Sequence, residues 1–594
     1  MNNPLFTPKE IYEFIKNHEP FSFMSSACLL KLSRVLEIES RTGDSLLIKK
    51  GETLNDLYIL IKGRLYYQVT DPDGNVTFQG ELQEGAIIGE MALLSDLPRS
   101  ANVYTLRDSI ILKLSKKNFL KLCKSYPELL NKITQFTIKR LTDSLQGTPV
   151  TASRNKSIAL VPIGPISDLE FQLQEMIFRF SYGEKILLLT SSYLKDKKDL
   201  LDVHGNMSNE GILWINQLEK EYSFIFYLAD EKITNWTKFC VRQADSIAYL
   251  ALAEEHDVNL SEVEQYALSM QHNFVKRNVL VLLHQTANPP LNTQNWLEKR
   301  NVNSHFHVRS NTEAGISRMM RIFTDNTISL VLSGGGARGL AHIGVYRLLE
   351  ERGIPVGTSM GAMLAATFAM GYSSAELMKL VENYLIKGTK IDFTFPYIAI
   401  ATGRRATDSL IELYGENSKI EDLWLNYFCV STDLVSKNLY VHDRGLLWES
   451  IRSSISLPFI YPPVSFNDKL LIDGGVLNNI PTDVMRQYSH SSKIIASNIN
   501  NNTLFKLSPL PYSLSGWKLL YNKFMGKESI LPLSLGELVL RLLTISSHQN
   551  TAKMMAMADC GITLKVDKYG ILDFKKFDEI IETGYQQAKA QLPA

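Results

Sequence analysis

The amino-acid sequence predicts a multidomain protein in which a small β-roll with flanking helices precedes two α/β domains. In the first 146 residues, helix-like spacing gives way to short apolar runs separated by turn residues. Beyond a polar stretch, strand-like and helix-like segments alternate up to His284. Further on, an apolar run from Ile328 to Leu332 stops at three glycines, and a helical pattern follows it.

Length and composition exclude several classes of protein. A chain of 594 residues is too long for one hydrophobic core and should form about three or four domains. Its 45% hydrophobic and 21% charged residues are typical of globular proteins and exclude intrinsic disorder. The net charge of +1 provides no general attraction to nucleic acid or anionic lipid, which leaves only local patches for such contacts. Five scattered cysteines without a C-x-x-C pair argue against a disulfide framework or a zinc site.

The same features predict where the protein is found. The N-terminus has no basic segment followed by an apolar one, so we expect no signal peptide. No run of about 18 apolar residues predicts a transmembrane helix. Because scattered cysteines also fit a reducing compartment, we expect a cytoplasmic protein that contacts membranes only peripherally and transiently.

The N-terminal domain, residues 1–146, should be a β-roll between helices. Residues 1–40 carry apolar side chains at helical spacing, whereas residues 44–114 contain short apolar runs divided by turn signals. Residues 116–146 return to a helical pattern. We expect these last helices to follow the roll, where they could move when a ligand binds.

Within the roll, residues 89–103 read Gly-Glu-Met-Ala-Leu-Leu-Ser-Asp-Leu-Pro-Arg-Ser-Ala-Asn-Val and resemble the phosphate-binding cassette of cyclic-nucleotide-binding domains. Arg99 could hold the negative charge of a cyclic phosphate bidentately, with amides of a short helix as further donors. Glu90 would accept from the ribose 2′-hydroxyl, and Gly89 allows a close backbone turn. Ser100 does not decide between cyclic AMP and cyclic GMP. The alternative is a Glu90–Arg99 salt bridge in a domain that has lost its ligand; the intact set favours binding.

A polar, turn-rich stretch at 147–156 is the predicted linker to an intermediate domain, residues 157–322. Alternation of strands and helices there predicts a parallel sheet with helices on both faces, in a Rossmann-like α/β domain. Only Gly164 follows its first strand, so we assign this domain no nucleotide site, and its role as a relay stays open. Its predicted strands are Ile158–Pro162, Ile186–Thr190, Phe224–Leu228, Ser246–Leu252 and Val279–His284.

Two interpretations compete for the glycines after Leu332. Gly334, Gly336 and Gly339 match G-x-G-x-x-G, which can cradle the pyrophosphate of a dinucleotide at a helix N-terminus. That interpretation expects an acidic residue about 20 positions further on, to hold a ribose hydroxyl. Ser359 stands there instead. The dinucleotide interpretation is therefore disfavoured.

The other interpretation makes the loop an oxyanion hole, in which bare amides and the positive end of a helix stabilise developing charge. Ser359 lies in a G-x-S-x-G elbow, a tight strand-to-helix turn that exposes a nucleophile. Asp473 follows an apolar strand and would supply the base. The oxyanion-hole glycines are Gly334, Gly335 and Gly336, and the supporting motif residues are Arg338, Gly339, Gly357, Gly361, Gly474 and Gly475.

In this order, G-G-G-x-R-G, G-x-S-x-G and D-G-G resemble the patatin-like phospholipases. Further stretches, at 420–424, 431–434, 447–458 and 570–574, are similar to the catalytic domain of the neuropathy target esterase family. The resemblance implies a patatin-like α/β hydrolase domain at 323–594 with a serine and aspartate dyad and no catalytic metal or cofactor. It implies a cyclic-nucleotide-regulated serine esterase acting on phospholipid or lysophospholipid acyl esters.

Several residues of this domain have no assigned chemistry. His342 and His442 are interpreted as structural rather than as bases. Gly403-Arg404-Arg405 is a basic turn of unknown role. An apolar set could cover the site or contact lipid, although core packing is commoner. Its members are Phe524, Met525, Ile530, Leu531, Leu533, Leu535, Leu538 and Leu540.

The segment before the elbow is shorter than in relatives, because Gly353-Ile354-Pro355-Val356 runs directly into Gly357. A helix from Gly339 to Arg352 would rise about 20 Å, which the extended chain back to Ser359 just spans. Either the helix ends early or the elbow is displaced. This leaves an alternative function, a cyclic-nucleotide receptor whose patatin-like domain binds lipid or a partner without catalysis.

Overall fold

The computed structural model describes residues 6–95, 97–145, 156–194, 200, 206–255, 257–270, 276–352, 356–359, 361–386, 392–488, 493–499, 513, 515–517, 521, 545, 547, 549–570 and 573–592. The chain forms two compact units. The first holds residues 1–285, 299–305 and 310–324, and the second holds the remainder. Of the predicted linker, only Lys156 is among the described residues. The apolar set between 524 and 540 lies outside them.

The first part of the first unit is the predicted β-roll, built of two antiparallel sheets. Their strand orders are β1-β8-β3-β6 and β2-β7-β4-β5. Buried apolar side chains, among them Leu60, Leu65 and Ile111, fill the space between them. The elements are α1 (Pro8–Lys16), α2 (Ser26–Ser33), β1 (Glu37–Arg41), β2 (Leu46–Ile48), β3 (Leu57–Lys62), β4 (Leu65–Thr70), β5 (Val76–Leu82), β6 (Ile87–Ile88), α3 (Glu90–Ser95), β7 (Asn102–Thr105), β8 (Ser109–Leu114), α4 (Lys116–Ser125) and α5 (Pro127–Leu145).

The helical pattern predicted for residues 1–40 is wrong at its end, where β1 forms. This strand, Glu37–Arg41, pairs antiparallel with β8 over its whole length. Its one apolar residue, Ile38, carries no alternating pattern that sequence analysis could detect. The pairing with a buried neighbour therefore determines its conformation rather than its own side chains. The helices predicted after the roll are confirmed as α4 and α5.

The rest of the first unit is built on a six-stranded sheet of order β10-β11-β9-β12-β13-β14. The register of β10, β11, β9, β12 and β13 is parallel, as predicted. Continuous apolar strands suit a parallel sheet because both of its faces are covered. The elements are β9 (Ser157–Ile163), α6 (Leu169–Phe180), β10 (Ile186–Leu189), α7 (Asn209–Glu221), β11 (Phe224–Leu228), α8 (Asn235–Gln243), β12 (Ser246–Leu252), α9 (Glu262–Ser269), β13 (Arg277–His284), α10 (Thr293–Glu298), β14 (Ser304–Arg309) and α11 (Glu313–Phe323).

Ion pairs join the roll to this sheet domain within the first unit. Their side chains are only 3–12% exposed, so each charge depends on its partner for solvation. The roll contributes residues from the β3–β4 and β7–β8 turns, and the sheet domain contributes residues of α7, α8 and the turn after α8. The pairs are Arg64–Asp245 at 2.7 Å, Arg107–Glu219 at 2.5 Å and Arg242–Asp108 at 3.4 Å.

The second unit contains a parallel sheet and an antiparallel sheet. The parallel sheet has the order β16-β15-β21-β22, and the antiparallel sheet has the order β18-β17-β20-β19. The antiparallel sheet was not predicted from the sequence. The elements are β15 (Ile328–Leu332), α12 (Ala341–Glu351), β16 (Val356–Ser359), α13 (Ala362–Ala369), α14 (Ser374–Leu380), α15 (Arg404–Tyr414), β17 (Cys429–Asp433), β18 (Leu439–His442), α16 (Leu447–Ser454), β19 (Val464–Phe466), β20 (Lys469–Asp473), α17 (Thr482–Tyr488), β21 (Lys493–Ile499), β22 (Cys560–Leu564) and a final helix (Phe577–Gln591).

Two short pieces of the predicted intermediate domain, 286–298 and 306–309, belong to the second unit. The Thr293 amide donates to Asp422 Oδ1 at 2.9 Å, and the Arg309 guanidinium lies 4.0 Å from the centre of the Trp424 ring. These contacts join residues over 100 positions apart, so no local pattern could have assigned the pieces. The domain boundaries at 146, 157 and 323 stay predictions.

Candidate functional site

The glycine loop follows β15 and leads into α12. Gly335 has a φ of 176°, and Gly336 has a φ of 61°, in the region that favours glycine. A 3₁₀ turn over Gly336–Leu340 precedes α12, so the α-helix begins at Ala341 rather than near Arg338. No described residue accepts a hydrogen bond from the amides of Gly335 and Gly336. These two amides are free to donate to an oxyanion.

The start of this loop is held by His342 and by β21. The Ser333 amide donates to Ser497 O at 3.0 Å, and Ser333 Oγ accepts from the Ile499 amide at 2.9 Å. His342 Nε2 donates to Ser333 O at 3.0 Å, which leaves Nδ1 to accept from Ser497 Oγ. Burial lowers the pKa of His342 to about 4, so the ring is neutral at pH 7. The structural role predicted for His342 is confirmed.

Asn479 joins the glycine loop to the D-G-G turn. Its Oδ1 accepts from the Gly334 amide at 3.1 Å, and its Nδ2 donates to Gly334 O at 3.3 Å. A Cβ on Gly334 would lie 2.8 Å from Asn479 Oδ1, so a side chain there would displace it. The Gly334 amide is therefore already engaged. This role of Asn479 was not predicted from the sequence, although the polar pair Asn478-Asn479 directly after the turn was an available signal.

Asp473 ends β20, and its backbone is held on both sides. Its amide donates to Ser456 O at 3.0 Å, and its carbonyl accepts from Thr432 Oγ1 at 3.1 Å. The side chain is partly buried and accepts from the Gly475 amide at 2.7 Å. Burial raises the pKa of the Asp473 carboxyl to about 6, and the Gly475 hydrogen bond opposes that rise. Such a carboxyl can exchange a proton near neutral pH.

Around the elbow, a strand that ends at Ser359 precedes a helix that begins at Ala362, in the predicted order. β16 pairs parallel with β15, and Ser359 lies opposite Val331. Gly361, with a φ of 87°, is the N-cap of α13. Despite the short connection after α12, the chain thus returns alongside β15, just before the glycine loop. The Ser359 side chain and Met360, which the predicted nucleophile elbow includes, lie outside the described part of the structure, as do Gly353-Ile354-Pro355.

The motif residue Arg338 and the histidine His442 have structural contacts. Arg338 Nε donates to Tyr569 O at 2.6 Å, which ties the 3₁₀ turn to the segment before the final helix. His442 Nε2 lies 2.9 Å from Ser431 Oγ in the antiparallel sheet, and burial lowers its pKa to about 4. The structural interpretation of His442 is confirmed by this burial.

Arg99 lies buried in the roll and forms no ion pair among the described residues. Its Nη1 donates to Gly89 O at 3.3 Å and its Nη2 to Asp56 O at 2.7 Å. Its Nε has no hydrogen-bond partner in the described chain. A buried donor without a partner is costly, and a phosphate oxygen could accept from it. Ser100, next to it, is exposed.

Glu90 does not form the alternative salt bridge with Arg99. Its carboxylate, 6% exposed, pairs with Arg140 Nη1 at 3.3 Å. Arg140 lies on α5, and the same Nη1 donates to Ile87 O at 2.9 Å. No pattern in the sequence predicts this role of Arg140, because it lies 50 positions from its partner in an ordinary helical pattern. The cassette is thereby connected to the helix that follows the roll.

Three family models match the chain in succession. They describe a cyclic nucleotide-binding domain at residues 39–126, a neuropathy target esterase family P-loop-like domain at 155–332, and a patatin-like phospholipase at 330–486. Among the helices of the described residues, none has the length and apolar character needed to cross a membrane.

Solved structures similar to part of the chain contain cyclic-nucleotide-binding domains. One from Methylobacillus flagellatus has a TM-score of 0.21 and 23% identity, covering 24% of this chain and 79% of its own. The regulatory domain of Toxoplasma gondii PKA, with cAMP, has a TM-score of 0.20 and 25% identity, covering 22% of this chain and 49% of its own.

Curated relatives match almost the whole chain. Patatin-like phospholipase domain-containing protein 7 of Rattus norvegicus is 30% identical, over 91% of this chain and 44% of its own length. Neuropathy target esterase sws of Drosophila melanogaster is 31% identical, over 90% of this chain and 41% of its own length. This chain thus spans less than half the length of these relatives. With all three domain types present in order, the chain belongs to the neuropathy target esterase family of patatin-like phospholipases.

Proposed function

We propose that residues 323–594 form a serine esterase that hydrolyses acyl esters of phospholipids or lysophospholipids through Ser359 and Asp473. The hydrogen-bonded link through Asn479 carries this proposal. It ties the turn that holds a carboxyl of raised pKa to the loop that holds two amides without a partner in the described chain. A base and an oxyanion hole are the two groups that a serine nucleophile needs.

In the proposed mechanism, Asp473 takes the proton of the Ser359 hydroxyl while the serine oxygen attacks the ester carbonyl. The amides of Gly335 and Gly336 donate to the oxyanion, since the Gly334 amide is engaged by Asn479. The tetrahedral intermediate then expels the alcohol part of the lipid, which takes the proton from Asp473. Water releases the fatty acid by the same route and restores the serine. The proposal needs no metal or organic cofactor.

The first test replaces the nucleophile. Ser359→Ala should lower the turnover of lysophospholipid by at least about 10⁴-fold while the Tm stays nearly unchanged. A fluorophosphonate probe should label the wild-type protein and not the variant. Turnover retained by Ser359→Ala would contradict the dyad. A wild-type protein that binds nucleotide but is not labelled would favour the receptor alternative.

We propose further that the roll binds a cyclic nucleotide, cyclic AMP or cyclic GMP, and that binding regulates the hydrolase. The buried Arg99 guanidinium with an unpartnered Nε supports the phosphate site, and the buried Glu90 supports a ribose contact. Because Glu90 pairs with Arg140 on α5, a ligand that competes for Glu90 would also act on that helix.

The second test removes the phosphate contact. Arg99→Ala should weaken cyclic-nucleotide binding about a hundredfold or more, because two charge-assisted hydrogen bonds are lost. Arg99→Lys keeps the charge without the fork and should recover only part of the affinity. Arg41→Ala, at a half-exposed arginine of the same roll, is the matched control and should bind normally. Equal affinities by calorimetry for the Arg99→Ala and wild-type proteins would reject the site.

A further inference from the structure

The second unit contains a loop, residues 392–403, whose aromatic tip is exposed and which we call the aromatic loop. Every residue from 393 to 398 is exposed, and four of the six are large and apolar. Single exposed apolar residues are common on protein surfaces, whereas a contiguous group marks an interaction site. The four are Phe393 at 74% exposure, Phe395 at 83%, Tyr397 at 88% and Ile398 at 65%.

Backbone hydrogen bonds hold the base of the aromatic loop. The Thr394 amide donates to Ile400 O at 3.0 Å, which closes the loop on itself. The Ile400 amide donates to Phe459 O at 3.0 Å and the Ala401 amide to Ile460 O at 3.1 Å. The exposed side chains therefore lie on a loop whose base is fixed by backbone hydrogen bonds.

The segment that holds the loop also holds Asp473. Residues 456–460 accept the loop amides at Phe459 and Ile460, and Ser456 O accepts the Asp473 amide at 3.0 Å. The aromatic loop and the proposed catalytic carboxyl are thus anchored to the same five residues. A surface that binds the loop would therefore be attached to the backbone segment that also holds Asp473.

A cation stands beside the aromatic residues. Arg404 begins α15, where Asp392 Oδ2 accepts its amide at 2.9 Å, so it lies at the base of the loop. Its side chain is 87% exposed, and its contact with the exposed Asp408, at 4.0 Å, contributes little. Aromatic rings with an adjacent arginine match a membrane surface, where rings enter the headgroup layer and the cation meets anionic lipid.

We propose that the aromatic loop and Arg404 dock the protein on an anionic lipid surface. The proposal rests on the proposed function, because a lipid substrate would be drawn from that surface. A protein partner fits less well. A stable protein interface needs about 20–30 residues on each side, whereas the loop offers six exposed ones. A lipid layer accepts a small apolar projection without a complementary groove.

Vesicle flotation tests the binding step. The full chain carrying Ser359→Ala is mixed with vesicles of phosphatidylcholine containing about one third phosphatidylserine, so that no lipid is consumed. Adding Phe395→Ser and Tyr397→Ser should lower the partition coefficient at least about tenfold. Phe178→Ser, at an 88% exposed phenylalanine of α6, is the matched control and should float normally. Because turnover is absent in every sample, failure of the esterase proposal leaves this result readable.

Charge and catalysis provide the second readout. Arg404→Glu should weaken flotation at low salt, whereas Arg404→Lys, which keeps the positive charge, should float like the parent protein. With vesicles of pure phosphatidylcholine, the parent and the two Arg404 variants should float equally. When Ser359 is left unchanged, the protein with Phe395→Ser and Tyr397→Ser should lose turnover of vesicle lipid but keep turnover of a water-soluble short-chain ester. The proposal is overturned if the parent protein does not float, or if the double aromatic variant floats like its parent. It is also overturned if the chain self-associates and the double aromatic variant changes its sedimentation, because the loop would then bind a second copy of the chain.

Discussion

Asp473→Asn is expected to slow ester hydrolysis strongly and, at the same time, to stabilise the folded protein at neutral pH. The catalytic loss should be about 10²–10⁴-fold in kcat, the usual contribution of a general base. Asparagine keeps an oxygen for the Gly475 amide, which donates to Asp473 Oδ1 at 2.7 Å. The substitution therefore removes the charge and the basicity with little change of shape.

The stability gain follows from the direction of the pKa shift. Burial raises the carboxyl from its ordinary pKa of 3.8 to about 6 in the folded state. Folding therefore favours the protonated form, and this favourable contribution is lost as pH rises from about 4 to about 6. At pH 7 the buried charge costs up to about 3 kcal/mol. The asparagine variant should be more stable than wild type by up to that amount at pH 7, and equal to it below about pH 4.

Urea unfolding at pH 3.5, 5 and 7 would measure this difference, and the wild-type kcat/KM should fall on the acid side with an apparent pKa near 6. Asp433→Asn is the matched control. There a hydrogen bond from the Ser436 hydroxyl lowers the pKa, so the same substitution should destabilise the protein at pH 7. An Asp473→Asn variant that keeps its turnover would contradict the role of Asp473 as the base. A variant that is less stable than wild type at pH 7 would contradict the raised pKa.

Asp108→Asn is expected to destabilise the first unit by about 3–5 kcal/mol, the usual cost of removing one partner from a buried ion pair. Asp108 accepts from the Gly43 amide at 2.7 Å, from the Met207 amide at 3.2 Å, and from Arg242 at 3.4 Å. The Arg242 and Asp108 side chains are 6% and 3% exposed. An amide group has a single acceptor oxygen and no charge, so at least one donor loses its partner.

The Asp108→Asn variant should unfold at a lower urea concentration, without a large change in the slope of the free energy of unfolding against urea. The double variant Asp108→Leu with Arg242→Met should recover part of the loss, because it leaves no unpaired buried charge. Asp73→Asn, in the exposed turn before β5, is the control and should change stability by less than about 0.5 kcal/mol. A single variant as stable as that control would show that the pair contributes nothing to joining the roll and the sheet domain.

Local patterns in the sequence were sufficient for several elements. β11, β12 and β15 begin and end at the predicted residues. Each is almost entirely apolar, with one serine in β12 and one in β15, and such a pattern suits a parallel strand with both faces buried. The elbow and the glycine loop were found for a related reason, since glycines at fixed spacing are needed for the backbone to turn there. Such requirements act between neighbours in the chain.

Other features depended on residues far apart in sequence. Ile38 is the one apolar residue of β1, which exists because β8 pairs with it. Arg140 contacts Glu90 from 50 positions away, and Asn479 contacts Gly334 from 145 positions away. In neither pair does a sequence motif predict the contact. A composition with few net charges likewise does not reveal which arginines and carboxylates are buried together.

By itself, therefore, the sequence determined the order of the three domains, the parallel strands and the three motifs of the candidate site, because these follow from short-range periodicity and turn chemistry. The tertiary structure alone decided which amide of the glycine loop is engaged, why the Asp473 carboxyl holds its proton near pH 6, and which charges join the roll to its neighbour. Burial and long-range hydrogen bonds set these properties, and both exist only once distant parts of the chain have packed together.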